Sequence, residues 1–160
     1  MKTIYFKLMG IILIFSMSAC DNNQELEKFS LTGSYWAYES SISSTSVKTY
    51  YHYYVWHFIS EIEAEEIRYS TDTKQVDIKS GEDPKMYGDI TDELYKTTIH
   101  VSSFNYPYIT IYEKKTHKET GEVIIDDARV CDGEFLLNDK VLSVKFPISG
   151  YNRHFYRINK

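Results

Sequence analysis

The chain has 160 residues, 42% of them hydrophobic and 26% charged, with 23 Asp and Glu against 18 Lys and Arg and a formal net charge of −5. Residues 1–19 hold two lysines and no acid, so the remainder carries −7. That balance argues against nucleic-acid and anionic-membrane binding, both of which need basic patches. With only Cys20 and Cys131 and no CxxC pair, neither a disulfide framework nor dithiol redox chemistry is expected.

Lys2 and Lys7 form a basic start, and Leu8 to Met17 form an apolar core broken by Gly10 and Ser16. The core is about ten residues, half of the roughly twenty that a spanning helix needs. Ser18 and Ala19 then precede Cys20. This run resembles the bacterial lipobox, with Met17 where leucine is usual. The resemblance implies cleavage before Cys20, a lipid on Cys20, and anchorage in the cell envelope through fatty-acyl chains. Each buried methylene contributes about 0.8 kcal/mol, so two or three chains anchor without a spanning helix. Asp21 resembles an inner-membrane retention signal in one sorting system. Acidic and polar residues after the cysteine accompany outer-membrane or surface display in others, and both destinations stay open. Residues 1–19 are thus read as a lipoprotein signal peptide, 20–30 as the lipidated cysteine and a polar tether, and 31–160 as one domain with one core.

The domain is rich in Tyr (15 in the chain), Phe (8) and Trp (2) and poor in Pro (3) and Gly (7). Such side chains suit pleated, half-buried surfaces, and alternation outweighs helical period. Strands are predicted over Leu31–Tyr38 and Lys48–Ser60. Ala64–Tyr69 and Lys74–Lys79 read as a hairpin around Thr71 and Asp72, and the acidic run Glu61–Glu66 as the polar end of a strand pair. Ser80–Asp92 reads as a long loop. Tyr95–Ser102, Tyr108–Glu113 and Glu122–Val130 follow. Phe135–Leu137 and Lys140–Phe146 flank a two-residue turn at Asn138 and Asp139, and Arg153–Ile158 closes the chain. Even spacing and sequential hairpins predict an all-β fold: a single up-and-down antiparallel barrel of about 8 strands, closed so that no long edge stays exposed.

Leu31, Thr32, Gly33, Ser34, Tyr35 and Trp36 resemble the first-strand signature L-x-G-x-W of lipocalin-like proteins. The long aromatic second strand and the ending Phe155, Tyr156, Arg157, Ile158 are similar to those of small bacterial lipocalin-like lipoproteins. The resemblance implies a ligand-binding barrel in which a late basic residue packs over the signature aromatic. Here the tryptophan stands three after Gly33 rather than two. Either Tyr35 takes its place or a bulge shifts the register.

In the second strand Tyr50, His52, Tyr54, Trp56 and Phe58 share one face, and Tyr51, Tyr53, Val55, His57 and Ile59 the other. Tyr54, Trp56 and Phe58 are the candidate wall of a cavity for a small apolar or amphipathic ligand; the competing reading is ordinary core. His52 and His57 are five apart on opposite faces, and no HxH, HExxH or Cys/His cluster occurs, so no metal is expected. Glu61, Glu63, Glu65, Glu66, Asp126 and Asp127 match no calcium-loop pattern. No nucleophile elbow or phosphate loop is present, so no catalytic residue or cofactor is assigned. Cys131 is read as a buried, inert thiol. The alternative function is a non-enzymatic interaction protein, such as an inhibitor, an immunity factor or an accessory subunit. It would have a filled core and exposed aromatics near Tyr87 or near Tyr106 and Tyr108.

Overall fold

A computed structural model describes residues 29–91, 94–125, 130–147 and 150–159. Cys20, the signal segment and most of the tether lie outside the described residues, as do Asp126 and Asp127. Ten strands follow in chain order: β1 (Tyr35–Ser44), β2 (Thr49–Phe58), β3 (Glu63–Thr71), β4 (Asp89–Ile90), β5 (Tyr95–Asn105), β6 (Tyr108–His117), β7 (Val123–Ile125), β8 (Cys131–Leu136), β9 (Val141–Lys145) and β10 (Asn152–Arg157). Single 3-10 turns stand at Ile78–Ser80 and Pro84–Met86.

Eight strands close an antiparallel up-and-down barrel in the order β1–β2–β3–β5–β6–β8–β9–β10 and back to β1. The closing ladder pairs Trp36 with Arg157 and Ala37 with Tyr156. First and last strands are therefore neighbours, as sequential hairpins and the cost of unpaired edges require. The short β4 and β7 lie outside this cycle, on β3 and β6 respectively.

Period-two alternation divides the apolar residues between two cores. Trp36, Trp56, Phe58, Ile99, Ile109, Leu142 and Phe155 fill the interior. Ala37, Tyr53, Val55 and Tyr69 point outward and are covered by Val76, Ile78 and Ile158. That cover corrects the predicted hairpin partner at Lys74–Lys79. The segment is a strap, because the Asp77 side chain caps a 3-10 turn by accepting from the Ser80 N–H.

The start of the domain also differs from expectation. Leu31 to Ser34 form a turn, closed by the Ser34 N–H on the Leu31 carbonyl at 2.9 Å. Gly33 has φ +79°, a conformation that side chains rarely adopt. β1 begins after this turn, at Tyr35. Trp36 itself points inward, fully buried, while Tyr35 stacks outside on His57 at 4.1 Å. The β1 register shifts later, between Glu39 and Ser41. The Arg157 guanidinium lies 5.9 Å from the ring centroids of both Trp36 and Phe29.

One end of the barrel is closed. Leu31 is buried, and Phe29 packs on Phe135 at 4.8 Å and on Tyr106 at 5.5 Å. The Glu61 carboxylate accepts from the Ser30 and Thr32 hydroxyls and from the Leu31 and Thr32 N–H groups. These bonds, the Ser30 hydroxyl foremost, hold Glu61 below the usual carboxylate range. The turn between β8 and β9 is four residues rather than two, with Leu137, Asn138 and Asp139 all at positive φ.

Candidate functional site

Tyr54, Trp56 and Phe58 do share a face, and it is the inner one. Phe58 and Trp56 are fully buried. The Trp56 indole stacks on Phe155 at 3.9 Å and donates its Nε1–H to the Glu66 carboxylate at 3.0 Å. The other Glu66 oxygen accepts from Arg68 Nε at 2.9 Å and lies 2.8 Å from the second guanidinium nitrogen. Burial pushes the Glu66 carboxyl up despite these donors, with Glu113 adding repulsion. Arg68 in turn sits 4.5 Å over the Tyr54 ring. Tyr54, only half-buried, lines a cleft of about 230 Å³ together with Ser40, His52 and Arg68. The sequence-predicted trio is thus divided. Two members pack the core, and one stands nearer the open end.

At the end opposite Phe29 the barrel flares, and the ladders record where. β3 and β5 pair only from Glu63–His100 to Glu66–Thr97. β6 and β8 pair only from Tyr108–Glu134 to Ile111–Cys131. β1 and β10 part after Ala37–Tyr156. β4 lies on the released edge of β3, at Tyr69 and Ser70. β7 lies on the released edge of β6, at Lys114 to Thr116. Among the described residues no strand lies on the released edge of β1.

A cleft of about 460 Å³ occupies this third gap. Tyr38 and Glu39 of β1 form one side, Asn152, His154 and Tyr156 of β10 the other, and Val76 and Ile78 of the strap the outer wall. Its volume falls within the roughly 300–1,000 Å³ usual for ligand sites. The strap is held at three points. The Val76 N–H donates to the Tyr53 hydroxyl at 2.8 Å, and the Asn159 N–H to the Gly81 carbonyl at 3.2 Å. Gln75 Nε2 donates to the Glu39 carboxylate at 2.9 Å. Burial pushes the Tyr53 phenol up to about 12.

These residues escaped the sequence reading because no local pattern marks where two strands, 119 positions apart at Ala37 and Tyr156, stop pairing. The expected aromatic surface is partly engaged in the fold. Tyr87 carries the Lys74 ammonium 4.0 Å from its ring centroid, and Tyr106 donates to Asp139 at 2.9 Å. Among the described residues no three His, Cys, Asp or Glu side chains are grouped to hold a metal ion. Comparison with known proteins finds no matching family model, curated protein or solved structure.

Proposed function

We propose that this chain is a non-enzymatic binding protein of the bacterial cell envelope, lipid-anchored through Cys20, which engages its ligand at the β1–β10 cleft. The observation that carries the choice of site is the division of the predicted trio: the Trp56 and Phe58 rings are already consumed in packing. The cleft instead combines aromatic rings (Tyr38, Tyr156) with unburied polar groups (Asn152, His154), the mixture that fixes and orients a ligand. The test is a photo-crosslinking side chain in place of His154 in full-length protein within intact envelopes, with the same substitution at exposed Tyr108 as control. A defined adduct from position 154 alone supports the reading. Equal adducts from both positions, or none, count against it.

A second reading keeps the small amphipathic ligand but moves it toward Tyr54 and Arg68 at the flared end, where a cation stands over an aromatic ring. Titration with fatty acids, bile-acid-like amphiphiles and haem tests it. The expected result is a saturable rise in melting temperature that Tyr54→Ala abolishes, and no saturable response from the panel removes the reading.

A further inference from the structure

The geometry points to an extended polypeptide segment of a partner protein as the occupant of the β1–β10 gap, added as a strand to the released edge of β1. This rests on the reading of that cleft as the binding surface. The barrel opens at three seams, all toward the same end. At two of them the chain supplies a short strand of its own, β4 on β3 and β7 on β6. In both cases the added strand comes from the connection that leads into the departing strand, before β5 and before β8.

At the third seam no such strand is found among the described residues. The connection into β10 turns back on β9 instead: the Phe146 N–H donates to the Tyr151 carbonyl and the Gly150 N–H to the Phe146 carbonyl. Continuing the register would place Phe155 opposite Tyr38 and His154 opposite Glu39, but the ladder stops one pair earlier. β1 nevertheless runs on to Ser44, paired with β2 throughout except at its bulge. Its other edge therefore presents backbone groups over Tyr38–Ser44. Those groups want partners in the plane of the sheet, and an extended peptide supplies them regardless of its side chains.

Apart from its bulge and the nearby strap, the edge lacks the usual defences. Tyr38 to Ser44 contains no Lys, Arg or Pro. Its one charge, Glu39, is held by Gln75 from the strap. The bulge bends the edge without ending the β2 ladder, which resumes at Ser41–His52. The Tyr38 ring lies 5.4 Å from Phe155 and 5.5 Å from the Arg153 guanidinium across the gap, so an inserted strand displaces those contacts on the inner side while its outward side chains meet Val76 and Ile78. The partner segment is accordingly extended, about four to six residues long, and apolar at alternate positions.

The experiment uses full-length lipidated protein in phospholipid nanodiscs and a displayed library of hexapeptides rich in Val, Thr, Ile and Tyr. Selected peptides are then synthesised with and without N-methyl groups at alternate amides. The expected result is saturable binding that falls at least tenfold on N-methylation. New amide-exchange protection should be confined to Tyr38–Ser44 and Asn152–Phe155. Failure to select any saturable binder overturns the inference, as does binding indifferent to N-methylation or protection elsewhere. An adduct at position 154 without such edge protection overturns strand addition while leaving the cleft as the binding surface. Loss of both removes the two together.

Discussion

Trp56 and Glu66 are register partners across the β2–β3 ladder, and the indole N–H donates to the carboxylate inside the barrel. A tryptophan chosen from the sequence as a ligand wall is therefore one partner of a buried acid. Burial raises the Glu66 pKa above its ordinary 4.5. The folded state then binds a proton more readily than the unfolded state, so stability from this group is full below about pH 4.5 and is lost as pH rises through the folded pKa. Glu66→Gln keeps an acceptor for the indole and removes the titration. Its melting temperature relative to the parent should rise progressively from pH 4 to pH 8. A difference that is flat across this range would count against the assignment.

Trp56→Ala removes the Phe155 stack and leaves a large void. The expected loss is about 3–5 kcal/mol, read by urea unfolding. A loss below about 1 kcal/mol would mean that the indole is not core.

Tyr53→Phe deletes the acceptor of the Val76 N–H while leaving the barrel ladders untouched. A cost of about 1–3 kcal/mol is expected, with faster amide exchange confined to residues 73–82. In the parent, burial of the phenol raises the Tyr53 pKa to about 12 against the opposing Val76 N–H, so the stability linked to the protonated ring is complete below about pH 10 and lost as pH climbs toward about 12. The variant should lack that alkaline step.

Gly133 lies where β8 approaches its neighbours. An added Cβ would stand 2.8 Å from Ile109 Cγ2 and 3.2 Å from Leu142 Cδ1. Gly133→Ala should destabilise by about 1–3 kcal/mol through overpacking, measured by thermal or urea melts.

Cys20→Ser should abolish incorporation of labelled fatty acid and leave the precursor uncleaved or mislocalised on membrane fractionation. Equal labelling of parent and variant would remove the anchor from the proposed function.

The barrel was legible because alternation, turn residues and spacing are local signals, and edge closure then dictates that ends meet. β2 was expected over Lys48–Ser60 and runs Thr49–Phe58. The strap was not legible. Val76 and Ile78 alternate as a strand would, but the Asp77 side chain takes the Ser80 N–H and turns the chain. Same-face spacing placed Tyr54, Trp56 and Phe58 together without saying what lay opposite. Phe155 and Glu66 decide that, and both come from elsewhere in the chain. The seam was hidden for a similar reason, since ladder length follows from barrel flare rather than from any residue run.

The Glu61 clamp fixes where the domain leaves its leash. Phe29 emerges at the closed end, beside Phe135 and Tyr106. Eight residues lie between it and Cys20, a reach of roughly 30 Å at full extension. Were Cys20 lipidated as proposed, the anchor would attach to the barrel at its closed end. The flared rim, the serine-rich β1–β2 turn and the β1–β10 seam lie toward the other end. A partner docking at that seam would then approach from the end of the barrel opposite its point of attachment.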